Sequence, residues 1–331
     1  MIDRLAFLTL LGATTVATGG LDVWEPSGTQ IRVLVDADLR GREPADVGDG
    51  TFAFDGRRWR GAPSTVPVAD GRLGLVTAID VDAYLQGVVP LELSPGWPVA
   101  ALQAQAIVAR TYALAHRTLS RPWDVLANDA DQRWGGVEAE VPAATAAVQA
   151  TRGQVLGYAG GPASVFYSAC CGGHTADGAS VWGRQPIPYL RGVPDPACAP
   201  APDFRWARSL PLDRILAAFG DRTGGTLTGA DLSDADPTGR PRTLTLHGER
   251  SAQLEVDEFR RALGSALLPS SWLRSVSVEG TQAAPRLVIE GSGRGHGVGL
   301  CQWGARFRAS AGASAAAILA CYFPGTTVSG V

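Results

Sequence analysis

The reading of the fold starts from Asp82-Ala-Tyr-Leu-Gln-Gly-Val-Val-Pro-Leu-Glu92, the link Leu93-Ser-Pro-Gly-Trp-Pro98, and Val99-Ala-Ala-Leu-Gln-Ala-Gln-Ala-Ile-Val-Ala-Arg-Thr-Tyr-Ala-Leu114. Pro98 suits the first turn of a helix, and Val99, Leu102, Ala106, Ala109 and Ala113 recur at three- and four-residue spacing, which predicts a helix from Val99 to about Leu119. Its apolar stripe is mostly alanine, so another backbone can approach closely, the mark of a central packed helix. Gln103 and Arg110, seven apart, share another face; they either touch a substrate or bond neighbouring backbone groups at the edge of the core. Glu92 stands among Val89, Pro90, Leu91 and Leu93, just before this helix. Apolar neighbours disfavour an ionised carboxylate and suit a general acid, whereas a Glu near a helix N-terminus can simply complement the dipole.

Outward from this centre, 31–35 and 73–79 read as strands separated by Gly and Asp turns. Residues 143–150 read as a short helix and 155–167 as strand, turn and strand. Helical patterns at 212–219 and 256–267, with strands at 244–246 and 287–289, give the stretch from 206 to 285 the size of a small domain and no catalytic cluster. It reads as an inserted α/β lobe. Helical patterns resume after Trp303 and at 314–322. The expectation is an α+β fold, with 27–205 joining 286–331 around a cleft that the inserted lobe flanks.

A chain of 331 residues with 45% hydrophobic residues can bury a sizeable core. Its formal net charge is -3 and its 29 basic residues are all Arg, which argues against a nucleic-acid footprint. The apolar run Leu5 to Val16, ending in small residues, reads as a secretory signal within 1–26, or as an uncleaved anchor. Five cysteines stand at 170, 171, 198, 301 and 321, an odd count that leaves at least one outside any internal disulfide.

Two further segments concentrate reactive groups. In Phe166-Tyr-Ser-Ala-Cys170-Cys171-Gly-Gly-His174-Thr175, Cys and His flank two glycines at a spacing that resembles half of a zinc site; a structural disulfide such as Cys171 with Cys198 is the alternative. In Gly291-Ser-Gly-Arg-Gly-His296-Gly-Val-Gly-Leu-Cys301-Gln302-Trp303-Gly304, glycines let backbone pack tightly, His296 and Gln302 offer hydrogen bonds, and Trp303 a face for a sugar. It is not a dinucleotide fingerprint, since the acidic residue expected about twenty positions on is missing.

These segments, with Asp131-Gln132 to Gly136, Val181-Trp-Gly and Pro188-Tyr-Leu-Arg-Gly-Val-Pro-Asp195, closely resemble the SpoIID/LytB domain, in the right order over most of 70–331. The resemblance implies an exported, cell-envelope protein acting on peptidoglycan, with Glu92 as the single acid/base of a lytic transglycosylase. It implies glycan strands stripped of stem peptides as substrate and a cell-wall amidase as partner; a non-catalytic amidase enhancer is the alternative. It also implies structural zinc, with ligands drawn from Cys170, Cys171, His174, Cys198 and Cys301, and substrate contacts from Gln103, Arg110, Gln132, Ser168, Thr175, His296, Gln302 and Trp303. Glu92, Gln132, His296 and Gln302 are expected to meet in the cleft. The chain departs from the family pattern at Gln103, where a basic residue is usual, at Leu300-Cys301, which replaces a methionine-serine pair, and at Cys321, which replaces a histidine. The first removes a charged contact; the second adds a metal donor.

Overall fold

A computed structural model of the chain describes residues 29–281 and 284–330, so the leader lies outside the described residues. Among the described residues no helix is long and apolar enough to cross a membrane. The fold is α+β: short helices alternate with strands gathered into several small sheets. The chain divides into two compact units, one running to Val165 and including 314–316 and 326–331, the other comprising 166–313 and 317–325.

In the first unit a sheet orders Ala62–Pro67, Leu73–Asp80, Gln30–Asp36 and Val125–Leu126. Gln30–Asp36 lies antiparallel to Leu73–Asp80, with Ile31 opposite Ile79, and parallel to Val125–Leu126. Asp80 ends its strand and caps the next helix, Val81–Glu92, accepting from the N–H groups of Asp82 (3.0 Å) and Ala83 (3.3 Å). The sequence reading assigned no helix to this segment, which holds Pro90, Gly87 and three valines, all weak helix formers. Pro90 costs one backbone N–H but lies only two residues before the helix ends, and Gly87 is required because the chain presses on it: a Cβ there would meet Trp134 Nε1 at 2.7 Å and the Gly136 carbonyl at 2.8 Å.

Helix Val99–Ala115 packs between Val81–Glu92, Pro142–Ala150 and strand Gln154–Tyr158. Its alanine stripe is fully buried, as are Leu102 and Ile107, and large side chains of that kind each contribute about 1.5–3 kcal/mol. The helix stops four residues before the predicted Leu119. Asp124 draws the chain away there, accepting from the Thr118 N–H (3.0 Å) while ion-paired to Arg32 (2.8 Å).

In the second unit, residues 206–289 share one apolar core. One sheet orders Trp206–Pro211, Ala284–Gly291 and Leu273–Thr281; another orders Gly229–Ala235, Pro241–His247 and Ser251–Glu255. Helices Leu212–Thr223 and Val256–Leu263 cover them through Ile215, Phe219 and Phe259, with the two phenyl rings 5.5 Å apart. The glycine-rich loop and the cysteine loop interlock: Tyr167–Ser168 pairs in parallel with Leu300–Cys301, and Cys170 bridges to Arg294.

Candidate active site and metal centre

Glu92 is the last residue of helix Val81–Glu92 and is half-buried. Glu92 therefore cannot complement the N-terminus of its own helix. Glu92 stands at the negative end of its own helix dipole, which opposes charge, and the next helix begins only at Val99. On the same helix, Tyr84 is fully buried, and its hydroxyl finds no hydrogen-bond partner among the described residues. Burial pushes the Tyr84 phenol well above its usual range, and the nearby charges of Asp131, Tyr112 and Glu92 push it further. Asp131 is committed elsewhere, accepting from the Tyr112 hydroxyl (2.6 Å) and the Leu126 N–H (2.9 Å). Gln132 is buried and donates to the Ala109 carbonyl (3.3 Å), and Trp134 packs on Tyr84 with ring centres 5.4 Å apart. The Asp131 to Gly136 segment is thus folded against both long helices.

Gln103 is half-buried, but Arg110 is wholly enclosed. Its guanidinium pairs with Asp82 at 2.6 Å and donates to the carbonyls of Gln154 (3.0 Å) and Val148 (3.2 Å). The expectation that Arg110 touches substrate is corrected: its polar head holds the helices to their neighbours. Burial pulls its proton affinity down, opposed by Asp82.

In the second unit Cys171, Asp195, Cys198 and Cys301 bring their ligand atoms within 4.8 Å of one another, all buried. The Cys171 and Cys198 sulfurs are 3.5 Å apart, and Cys301 Sγ accepts from the N–H groups of Cys171 (3.2 Å) and Gly304 (3.3 Å). Cys170 borders the group: hydrogen bonding to Cys198 pushes its thiol up to about 12. Hydrogen bonding from Cys170, Cys171 and Cys301 pulls the Cys198 thiol far below its usual range. A buried set of soft sulfur donors with one carboxylate can hold a metal ion. Asp195 is itself steadied by Arg308 (2.9 Å) and the Tyr322 hydroxyl (2.9 Å). His174, expected as a ligand, stands outside the group and bonds the Thr175 carbonyl at 2.7 Å. Sequence reading missed Asp195 as a donor, although it ends the quoted Val-Pro-Asp motif. Cys321 is exposed and apart from the group.

The other expected substrate residues divide by role. Thr175 is buried, and its hydroxyl accepts from the Val193 N–H at 2.7 Å, a bond that joins two chain segments. Ser168 is buried with no hydroxyl partner among the described residues. His296 is half-buried, its Nδ1 accepting from the Val298 N–H (3.0 Å) and its ring 5.3 Å from that of Trp182. Gln302 and Trp303 open helix Gln302–Ser310; Gln302 is buried, while half-exposed Trp303 stacks on Phe307 at 5.6 Å beneath Arg306.

The family model for the stage II sporulation protein SpoIID matches residues 69–158, the segment holding Glu92, Arg110 and Gln132. An uncharacterized protein of Brachyspira hyodysenteriae is 30% identical over 282 residues, 84% of this chain and 74% of that protein. The chain belongs to the SpoIID/LytB family. Stage II sporulation protein D of Bacillus subtilis is 25% identical to this SpoIID/LytB chain over 287 residues, 82% of the chain and 80% of that protein. The amidase enhancer of the same organism is 29% identical over 295 residues, 74% of the chain and 40% of the enhancer.

Proposed function

We propose that this protein is a lytic transglycosylase that cuts peptidoglycan glycan strands lacking stem peptides, with Glu92 as its single acid/base. The observation that carries the reading is that Glu92 stands half-buried at the end of its helix, while Asp131, the other acid close to Tyr84, is tied up by Tyr112 and Leu126. Hydrolysis with two carboxylates needs a second acid beside the scissile bond; intramolecular transfer needs one. Glu92 gives its proton to the glycosidic oxygen as the bond to the anomeric carbon breaks. The 6-hydroxyl of the same muramic acid attacks that carbon, and the Glu92 carboxylate takes the hydroxyl proton. The product ends in a 1,6-anhydro ring, and no water is consumed.

Gln103 and Gln132 in the first unit, and Ser168, His296, Gln302 and Trp303 in the second, are the proposed glycan contacts. The cysteine cluster is proposed as a closed structural zinc site, held by Cys171, Cys198 and Cys301 with Cys170 or Asp195 as fourth donor. Zinc there would tie the cysteine loop to the glycine-rich loop and supply no chemistry to the sugar. Residues 206–285 are proposed as an insertion into the catalytic fold, and the site of action as the cell envelope, outside the cytoplasm.

The similarity to the amidase enhancer supports a second reading, in which the chain binds glycan without turnover and stimulates a cell-wall amidase. Mass spectrometry of peptide-free strands after incubation with wild type and with Glu92→Gln separates the two. Anhydro ends from wild type alone support the transglycosylase; strands left intact by both, with binding retained, support the enhancer.

A further inference from the structure

Away from the cysteine cluster's donor atoms, the second unit holds two arginines in an arrangement that the function above does not use. Arg205 Nη1 and Arg274 Nε both donate to the hydroxyl of Ser292, the latter at 2.9 Å. No carboxylate pairs with either among the described residues, whereas their neighbour Arg294 is neutralised by Asp203 at 2.7 and 3.1 Å. Two like charges that meet on one neutral oxygen repel each other, and free arginine side chains would swing apart. Here the scaffold holds them.

Ser292 is buried, its N–H bonded to the Trp272 carbonyl (2.9 Å) and its carbonyl to the Ser270 hydroxyl (2.6 Å). The Arg274 guanidinium lies 3.7 Å from the centre of the Trp272 ring, and Arg205 lies over Phe204 at 4.8 Å. The cysteine loop presses on the same serine: Gly172, at φ +76°, is so close that a Cβ would meet Ser292 Cβ at 2.7 Å. Burial and the charge of Arg205 both lower the proton affinity of Arg274, as expected of a pair without a counter-charge. Each guanidinium has five N–H donors and gives one to Ser292, so most of the donors on two exposed heads remain for an anion.

We propose that Arg205 and Arg274, held together on Ser292, form an anion site that takes the free carboxylate of a muramic acid residue. This rests on the glycan reading above. Hydrolysis of the amide between muramic acid and its stem peptide leaves a carboxylate on the lactyl group, so a strand carries this group free only where its peptide has been removed. Planar guanidinium forks suit carboxylate. The pair would therefore distinguish stripped strands from peptide-bearing ones. A phosphodiester polymer presents related chemistry and is the source to be told apart.

The test measures binding to the full chain carrying Glu92→Gln, with and without R205Q and R274Q together. The ligands are peptide-free glycan strands, the same strands with carboxylates converted to methylamides, and a polyol-phosphate teichoic acid. The expected result is that either masking the carboxylates or replacing both arginines weakens binding roughly tenfold, that doing both is no worse than doing one, and that the preference shrinks with salt. Equal affinity for masked and unmasked strands, with glycan still bound, overturns the arginine site and leaves the glycan reading standing. Arginine-dependent binding of teichoic acid without arginine-dependent binding of strands overturns the carboxylate. Failure to bind any strand overturns both.

Discussion

Two of the buried arginines, Arg110 and Arg240, show how differently the two units handle charge. Arg110, in the first, is enclosed with a carboxylate: Asp82 lies 2.6 Å away and two backbone carbonyls accept from Nη1 and Nη2. The guanidinium of Arg240, in the second, has no carboxylate in hydrogen-bond contact among the described residues. It donates to the carbonyls of Cys171 (3.1 Å), His174 (2.6 Å) and Thr175 (3.3 Å) and lies 4.1 Å from the centre of the Trp272 ring. Burial lowers it to about 10. The first unit closes a conventional helical core around a matched ion pair. In the second, a cation from the stretch 206–285 grips the backbone of the cysteine loop, whose Cys171 meets Cys198 and Cys301 in a buried sulfur cluster. The first arrangement is complete as it stands; the second is one that a metal ion would complete.

The largest effect expected is on chemistry. Glu92→Gln should lower formation of anhydro ends by about 10²- to 10⁴-fold with an unchanged melting temperature, since a half-buried residue at a helix end is lost without a cavity. Retained turnover in the variant would remove Glu92 from the mechanism. Next comes the metal. Purified protein should carry one zinc, and chelation should lower Tm by at least about 5 °C. Cys198→Ser should abolish that zinc. Whichever of Cys170→Ser and Asp195→Asn also does so names the fourth donor. Protein that is metal-free as purified and indifferent to added zinc would erase the contrast between the units.

How much of this could be read from the chain alone follows the same divide. The helix from Val99 was legible because alanines three and four apart must line one face, and its packing partner lies next to it in sequence. The preceding helix was not, because Pro90 and Gly87 look like breakers until Trp134, some fifty residues on, is seen filling the space beside Gly87. Arg110 could be assigned only to a face; that the face looks inward depends on Asp82 and on carbonyls from a later helix and strand. The cysteines were legible as donors by type. That Asp195 joins them and His174 does not is decided by how the 171–175 loop folds over Ser292 and under Arg240, contacts no local pattern encodes.

The ion pair can be broken directly. Asp82→Asn leaves Arg110 buried beside a neutral amide and should cost about 3–5 kcal/mol in denaturant unfolding, whereas D82L with R110M should recover much of the loss. If Arg110 serves the core alone, the double variant should keep kcat/KM for glycan near the wild-type value. A large rise in KM in a stable double variant would restore a substrate role to Arg110.

The smallest effect concerns Tyr84, and its sign is set by burial. The folded protein holds the phenol proton to a pH well above 10, whereas the unfolded chain releases it near 10. Above that pH the unfolded state binds fewer protons than the folded one, so Tyr84 lowers stability as pH rises beyond about 10 and has no such effect below it. Tyr84→Phe removes a buried hydroxyl that has no partner among the described residues, so at pH 7 it should change stability by less than about 1 kcal/mol or increase it. Between pH 10 and 11 it should lose stability less steeply than wild type. A loss of several kcal/mol at pH 7 would mean instead that the hydroxyl is held in the folded protein, and would make the first unit, like the second, one whose buried polar groups depend on something beyond the chain.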